Sequence, residues 1–337
     1  MTIKDIARIS GVSITTVSRV LNNRPDVSDE SRRRVLDVIE SNNYIPNNSA
    51  RDLVKTRSDA IGLMVRGVSN PFYTDIIRAA EAAITTRGYT MVMQQIGSNE
   101  DELKRAAIME REKRLRGIIL LGGRFDYTAA DLALLNIPFV CCSFANHYGT
   151  LDPADYSSVS IPDKETAYQA VRYLIDNGHR RIAALITNPG DRSISQLRYE
   201  GYVQALREAG LSLDPSLVIC TDKFNIQGAY RAMNGALDAG TAFTAVVAIS
   251  DHMAIGAMRA LREHGCSIPD NCSVIAIDGI EVSDYIDPPL TTLCQPMEDM
   301  GRHSVKILLD VVEKRSGNRH ETLSTVLRPG ASVKKLV

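Results

Sequence analysis

Short apolar strands that alternate with amphipathic helices, in two successive runs, limit the possible fold of this chain more than any other feature. The first run contains AIGLMV (Ala60–Val65) and GIILL (Gly117–Leu121), and the second contains RIAALI (Arg181–Ile186). Strands that are apolar on both faces, with helices between them, are typical of parallel sheets covered by helices on both sides. A break near Pro162 separates the runs. The sequence therefore predicts two similar α/β lobes within a body that spans residues 59–337.

Two such lobes predict a ligand cleft, because parallel sheets bind ligands beyond the carboxyl ends of their strands. Candidate ligand contacts follow several predicted strands. They are Asn70 and Phe72 in SNPFY, Ser250 and Asp251 in AISDHM, and Asp278 in IAIDGI. Phe72 can instead pack on the helix that follows it, and Ser250 and Asp251 can be ordinary helix caps. No G-x-G-x-x-G or P-loop motif follows the first strand, which disfavours dinucleotide binding.

The composition excludes several classes of protein. No apolar run in the 337 residues reaches the length of a membrane span, and MTIKDIARIS lacks the apolar core of a signal peptide, so we expect a cytoplasmic protein. The six cysteines are predicted to be free, buried thiols. No cysteine or histidine set has zinc spacing and no catalytic triad motif is present, so we expect no metal, no cofactor and no enzymatic activity.

Charge is distributed unevenly along the chain. Residues 1–57 contain ten Lys/Arg and seven Asp/Glu, whereas the remaining residues contain 29 Lys/Arg and 33 Asp/Glu. A small basic segment in front of a mildly acidic body indicates that any nucleic-acid binding belongs to the first segment.

Residues 1–46 predict three short helices. Thr2 and Asp5 form an N-cap pattern before the first helix, Gly11 ends that helix, and Ser13 caps the second. A third helix follows Ser28. A glycine-containing turn between two short helices is typical of a helix-turn-helix.

The second helix, SITTVSRVLNN, has a surface that local helix propensity does not explain. Val17, Val20 and Leu21 form its apolar stripe, and the remaining face consists mostly of hydroxyl groups and one arginine. A slender face of this kind lets the helix approach base edges in the major groove, where hydroxyls bind phosphates and bases and Arg19 can bind guanine with two donors. The alternative is that this helix is only the solvated face of a small helical bundle.

Residues 47–58 predict a helix of marginal stability. Pro46 prevents the third helix from continuing, and Asn47 or Asn48 can cap a single turn whose apolar contacts are Ala50 and Leu53. One turn with so little surface to bury does not persist alone in water. We therefore expect a hinge that couples the head to the body by changing between order and disorder.

The motif TIKDIARISGVSITTVSRVLNN, together with YIPN, resembles the lactose/galactose-repressor family of bacterial regulators. The resemblance implies that Ile14, Thr15 and Arg19 read bases, and that a hinge helix folds only on operator DNA. It also implies that Leu53 wedges into a base step from the minor groove, with Ala50 at the contact between two hinges. The complete expected set of DNA contacts is Thr2, Ser13, Ile14, Thr15, Thr16, Ser18, Arg19, Asn22, Tyr44, Asn47, Ala50 and Leu53.

By the same resemblance, the body is similar to a two-lobed, periplasmic-binding-protein-like α/β fold with parallel sheets. The chain should then cross between the lobes three times, with lobe one at about 60–161 plus 290–320 and lobe two at about 162–289 plus 321–337. Arg198 and Asp278 match the family's ligand-binding arginine and aspartate, although Arg198 can also be an exposed helix residue. The expected effector set is Asn70, Phe72, Arg192, Arg198, Ser250, Asp251 and Asp278.

These features predict a ligand-controlled repressor, most simply of a carbohydrate-utilisation operon. We expect a homodimer on a roughly palindromic double-stranded operator, since two-fold proteins read two-fold sites. The expected effector is a sugar or sugar phosphate in the cleft. Two alternatives stay open: a purine- or other metabolite-responsive regulator of the same family, and a cytoplasmic sugar-binding module without a DNA role.

Overall fold

The computed structural model describes residues 2–21, 24–42, 58–67, 70–97 and 100–336. It divides the chain into two compact units, Met1–Ser58 and Asp59–Val337. The predicted hinge therefore lies outside the described residues except for Ser58. The same holds for five of the expected DNA contacts, which are Asn22, Tyr44, Asn47, Ala50 and Leu53.

The first unit contains the three predicted helices, α1 (Ile3–Ser10), α2 (Ile14–Leu21) and α3 (Asp29–Ser41). Thr2 and Asp5 form a reciprocal capping box at the start of α1, and Gly11 ends this helix at a φ of 66°. The three helices enclose a small core whose buried members are Ile6, Ala7, Val17, Val20 and Val35. This is the arrangement that the apolar stripes predict.

The first lobe of the second unit is built on one six-stranded sheet. Its strands are β1 (Ala60–Arg66), β2 (Thr90–Ile96), β3 (Gly117–Leu121), β4 (Phe139–Cys142), β5 (Ser157–Ser160) and β11 (His320–Thr322), and their order is β11-β5-β4-β3-β1-β2. The helices between them in sequence are α4 (Phe72–Thr86), α5 (Glu102–Lys113) and the short α6 (Ala129–Leu132). All described pairings in this sheet are parallel.

The second lobe repeats this plan. Its strands are β6 (Ile182–Ile186), β7 (Val218–Cys220), β8 (Ala245–Ala248), β9 (Ser273–Asp278), β10 (Thr291–Cys294) and β12 (Val326–Arg328), in the order β12-β10-β9-β8-β6-β7. Its helices are α7 (Asp163–Asp176), α8 (Ile194–Glu208), α9 (Ile226–Asp238) and α10 (Asp251–Glu263). The last helix, α11 (Met297–Val312), packs in the core of the first lobe.

The chain crosses between the lobes three times within residues 100–336: after β5, after β10 and between β11 and β12. Two expected boundaries are wrong. Thr291–Cys294 pairs with β9 in the second sheet, so the second crossing follows Cys294 instead of beginning at 290. His320–Thr322 pairs with β5 in the first sheet, so the return to lobe two follows Thr322. Strands of three or four residues carry too little periodicity to be assigned to a sheet from sequence.

Free thiols are confirmed for all six cysteines, but burial is not. Cys141, Cys142 and Cys272 are buried, whereas Cys220 is exposed at the end of the edge strand β7. An edge strand has one unprotected side, which the apolar pattern of the strand does not reveal.

Candidate DNA-reading helix and ligand cleft

The outer face of α2 is exposed in the way a groove-reading helix requires. Ile14, Thr15 and Arg19 are exposed, whereas Val17 and Val20 lie in the core. Ile14 keeps 46% of its surface accessible although it is apolar. An apolar side chain on the outer face can contact a thymine methyl group, and the neighbouring hydroxyl and guanidinium can reach base edges.

Hydroxyl groups at the start of α2 are engaged in capping. The Ser13 Oγ accepts a hydrogen bond from the Thr16 N–H at 3.0 Å and lies 2.9 Å from the Thr16 Oγ1. The Thr2 hydroxyl likewise donates to Asp5 at 2.9 Å. Thr16 and Ser18 are half-buried, so they present less surface than Thr15. Four of the seven described candidates are therefore exposed on or next to α2: Ser13, Ile14 and Thr15 at its start and Arg19 in its last turn.

Arg19 forms an ion pair with Asp26 at 3.3 Å, and both side chains are more than half exposed. An exposed pair of this kind contributes roughly 0–1 kcal/mol. Arg19 can therefore leave Asp26 for a phosphate or a guanine at small energetic cost.

A cleft of about 770 Å³ lies between the carboxyl ends of the two sheets in the second unit. This volume is toward the upper end of the range for small-molecule sites, roughly 300–1,000 Å³. Five of the seven expected effector contacts line it: Asn70, Phe72, Arg192, Arg198 and Asp278.

Arg198 and Asp278 are the buried ionisable side chains of the cleft. Arg198 is 1% exposed, and its guanidinium donates from Nε to Asp163 Oδ1 at 3.0 Å and from Nη1 to the Ile249 carbonyl. The Nη1 atom lies 3.7 Å from Asp278 Oδ1. The reading of Arg198 as an exposed helix arginine is therefore excluded.

Asp278 combines a strained backbone with an incompletely bonded carboxyl group. Its φ is 141°, which non-glycine residues rarely adopt. Gln295 donates to Oδ1 at 2.8 Å, but no donor among the described residues reaches the buried Oδ2. Burial raises the pKa of Asp278 to about 8, although the Arg198 charge lowers it. A buried polar atom without a partner indicates a place for a ligand group.

Asn70 and Phe72 serve the fold as well as the cleft. The Asn70 Oδ1 accepts a hydrogen bond from the Phe72 N–H at 3.1 Å at the start of α4. Phe72 is only 4% exposed and lies against Tyr73 with ring centroids 5.4 Å apart. Most of the Phe72 ring therefore packs in the lobe, and only an edge remains for a ligand.

The structure does not place Ser250 and Asp251 on the cleft, which corrects the prediction. Ser250 caps α10 by accepting from the Met253 N–H at 3.2 Å. Asp251 is fully buried, and its Oδ2 accepts from the Gly279 N–H, the Ile280 N–H and the Ser283 hydroxyl. Its Oδ1 accepts from Thr292. These bonds hold the loop after β9 and Thr292 of β10. The alternative reading as a helix cap therefore applies to Ser250, whereas Asp251 supports the fold in a way that the sequence reading did not foresee.

Several cleft residues escaped the sequence prediction. They are Arg66, Arg124, Asp126, Asp222, Lys223, Phe224 and Gln295, together with Tyr73 and Phe125. Most of them follow the carboxyl end of a strand, which is the signal that identified Asn70, but charged loop residues are too common in sequence to be singled out by it.

The two arginines of the first lobe in the cleft are neutralised by carboxylates. Arg66 pairs with the fully buried Glu102, which also accepts from the Arg124 N–H at 2.6 Å. The Arg124 Nε donates to Asp126 at 2.9 Å. Among the described residues, no cluster of His, Cys, Asp and Glu fits a metal ion, and no helix is long and apolar enough to span a membrane.

Comparison with known proteins assigns both units. Residues 2–47 match the model of bacterial regulatory proteins of the lacI family, and residues 171–333 match a periplasmic binding protein-like domain. The HTH-type transcriptional regulator MalR of Clostridium butyricum is 38% identical over 97% of each chain.

Solved structures agree with this assignment. A complex of the transcriptional regulator CelR with cellobiose is 30% identical, covers 98% of this chain and 99% of its own, and has a TM-score of 0.72. The lac repressor dimer bound to operator and the anti-inducer ONPF is 25% identical, covers 99% of both chains and has a TM-score of 0.83. The chain therefore belongs to the lacI family of bacterial regulatory proteins. It is a DNA-binding transcriptional regulator with a helix-turn-helix head and an effector-binding body.

Proposed function

We propose that this protein is a cytoplasmic repressor of carbohydrate-utilisation genes whose operator affinity is controlled by a neutral sugar, of about disaccharide size, bound in the cleft. The observation that carries the proposal is that the Arg198 Nη1 lies 3.7 Å from Asp278 Oδ1 in the cleft, while the buried Oδ2 of the same carboxyl group has no donor among the described residues. A guanidinium and a carboxyl group that converge on one space suit the vicinal hydroxyls of a sugar.

Other cleft residues favour a neutral ligand over a phosphorylated one. Arg66 and Arg124, which would be suited to a phosphate, are already paired with Glu102 and Asp126. Breaking the Arg66 pair would leave the buried Glu102 carboxylate without its partner, which is energetically costly, whereas the partly exposed Arg124–Asp126 pair is weaker. Phe224, which is half-buried, adds apolar surface on which the C–H face of a sugar ring can pack, whereas the buried Phe72 and Phe125 contribute only ring edges.

The size of the cleft and a solved relative both support a disaccharide. The cleft measures about 770 Å³, and CelR, which is 30% identical, is known in complex with cellobiose. The head is proposed to bind a roughly palindromic operator as a homodimer, in line with the lac repressor dimer on its operator. We infer that the protein regulates and does not catalyse, because its relatives are named as transcriptional regulators.

A ligand panel on the full-length protein tests the effector proposal. The probes are cellobiose, maltose, ribose, glucose 6-phosphate and hypoxanthine, and the readout is the melting temperature of the body. We expect a disaccharide to raise it, because a ligand at 100 times its Kd stabilises the folded state by about 2.7 kcal/mol. Arg198→Ala should abolish the shift. The matched control is Arg207→Ala, an exposed arginine at the end of the same helix, α8.

Stabilisation by glucose 6-phosphate or hypoxanthine without any effect of the disaccharides would contradict the neutral-sugar proposal. A normal disaccharide shift in the Arg198→Ala variant would remove Arg198 from the site.

A further inference from the structure

The two buried ionisable side chains of the cleft, Arg198 and Asp278, are each bonded to a residue at a lobe crossing. Arg198 donates to Asp163 Oδ1 from Nε at 3.0 Å and from Nη2 at 2.9 Å. Asp163 is the first residue of α7 and comes directly after the first crossing at Ile161 and Pro162.

The second contact between a cleft residue and a lobe crossing is made by Gln295, the first residue of the crossing from β10 to α11. Its Nε2 donates to Asp278 Oδ1 at 2.8 Å, and its backbone N–H donates to the Asp278 carbonyl at 2.9 Å. Gln295 thus contacts Asp278 with both its side chain and its main chain. The crossing chain cannot move away from β9 without breaking these bonds.

All four residues are buried, with exposed fractions of 1% for Arg198, 2% for Asp278, 3% for Asp163 and 5% for Gln295. Hydrogen bonds between buried groups are stronger than in water, and leaving one member unpaired is costly. A displacement of Arg198 or Asp278 by a ligand must therefore be followed by its partner.

The first and third crossings are joined to each other. The Leu323 N–H donates to the Ser160 carbonyl at 2.8 Å, and the hydroxyls of Thr166 and Thr325 lie 3.3 Å apart. Thr166 is in the first turn of α7, three residues after Asp163 and on the same side of the helix. Movement of Asp163 is thereby shared with the third crossing, which joins β11 to β12.

We propose that Asp163 and Gln295 are positioning residues that connect the ligand-binding side chains to the lobe crossings, so that a sugar held by Arg198 and Asp278 reorients the lobes through these two contacts. The inference rests on the proposed function, because it takes a sugar to be the ligand of Arg198 and Asp278. Asp163 is outside the set of residues that line the cleft, whereas Gln295 lines it as well as bonding Asp278.

Amide hydrogen exchange of the ligand-free, full-length protein tests the Arg198–Asp163 and Asp278–Gln295 contacts without any sugar or operator. Gln295→Leu should raise exchange roughly tenfold at residues 295–300 and leave residues 161–166 unchanged. Asp163→Ala should have the opposite pattern, and Asp163→Asn, which keeps an acceptor for Arg198, should restore the slow exchange. Gln227→Leu, at an exposed glutamine of α9, is the matched control and should change neither segment.

Exchange at the two crossings that is unchanged in both Gln295→Leu and Asp163→Ala would overturn the inference. Equally faster amide exchange throughout the body, including the strand Ile182–Ile186, would also overturn it. That result would show a loss of global stability and not the loss of a local contact.

Saturating cellobiose and maltose then distinguish this inference from the proposed function. If either sugar raises the melting temperature of the wild-type protein, exchange at both crossings should change with it. Asp163→Ala, at a residue outside the cleft lining, should lose the change at 161–166 while saturating sugar still raises its melting temperature. A melting shift without any change at the crossings contradicts the inference and leaves the proposed function standing. If neither sugar binds, the disaccharide proposal fails and the ligand-free comparison alone decides the inference.

Discussion

At the scale of one residue, the backbone conformation of Asp278 determines where its carboxyl group lies and therefore its pKa. It ends β9 with a φ of 141°, and Gly279 follows with a φ of 80°. A Cβ on Gly279 would come within 2.5 Å of the Cys294 Sγ, so the turn needs a glycine there. The turn directs the Asp278 carboxyl group toward Arg198 and the cleft, where burial raises its pKa to about 8.

We predict that this carboxyl group makes the stability of the ligand-free protein depend on pH. An aspartate in the unfolded chain has a pKa of about 3.9, so between about pH 4 and pH 8 the folded state holds a proton that the unfolded state has released. Stability from this group is therefore present at low pH and is lost as the pH rises toward 8. A single group changes the stability by at most about 1.4 kcal/mol per pH unit.

Urea unfolding from pH 5 to 8 checks the prediction. Asp278→Asn should have a flatter profile than the wild type, because asparagine does not titrate, whereas Asn at the exposed Asp222 should leave the wild-type slope. Parallel profiles for wild type and Asp278→Asn would show that Asp278 is already ionised in this range.

At the scale of elements, pairs of helices approach each other closely at a glycine. A Cβ on Gly201 of α8 would overlap the Lys164 carbonyl of α7, and a Cβ on Gly256 of α10 would overlap the Ile226 carbonyl of α9. In the first lobe, Gly301 of α11 lies against the Ile76 carbonyl of α4 in the same way. The α7–α8 contact matters most for the site, because it brings Asp163 and Arg198 within bonding distance.

We predict opposite effects for two glycine-to-alanine substitutions in helices. Gly201→Ala should lower the free energy of unfolding by about 1–3 kcal/mol, because overpacking forces the helices apart, and it should weaken sugar binding by displacing Arg198. Gly235→Ala in α9 meets no atom within 4 Å and should stabilise the protein by about 0.5–1 kcal/mol through helix propensity. Chemical unfolding of both variants, with sugar titration, makes the comparison; similar stabilities would contradict the close approach of α7 and α8.

At the scale of the whole molecule, the two units carry separate tasks. The head has a core of a few residues and an exposed face on α2. The body contains the cleft, which lies between the carboxyl ends of its two sheets. Control of DNA binding by a ligand then depends on what links the units, and the predicted hinge with Ala50 and Leu53 lies outside the described residues.

We predict that the full-length protein selects duplexes with two related half-sites from a random pool and that two protomers bind each duplex. Arg19→Ala should lower affinity for the selected site by about 1–3 kcal/mol and relax the preference for one base pair per half-site, because a bidentate contact to guanine is lost. Binding assays on selected and single-mismatch duplexes, with sedimentation of the complex, provide the readout. Arg8→Ala, at an exposed arginine of α1, serves as the comparison. One protomer per duplex, or unchanged base preference in Arg19→Ala, would contradict this mode of binding.

Sequence alone determined the class of each unit and part of each site. The stripe of Val17 and Val20, the cap at Thr2 and the glycine after α1 specify the head, because these signals act between residues close in the chain. The alternation of apolar strands and helices specifies the two sheets for the same reason. The rule that polar residues at the carboxyl ends of parallel strands face a cleft also identified Asn70 and Asp278.

Only the tertiary structure decided which polar residues face the cleft and which support the fold. Asp251 follows β8 and Asp278 ends β9, so both stand at the carboxyl end of a strand. The Asp251 carboxylate accepts four hydrogen bonds within the fold, whereas one oxygen of Asp278 has no partner among the described residues. The roles of Asp163 and Gln295, and the sheets to which β10 and β11 belong, likewise depend on partners far away in sequence. Local patterns do not encode such pairings, because they arise only when distant segments are packed together.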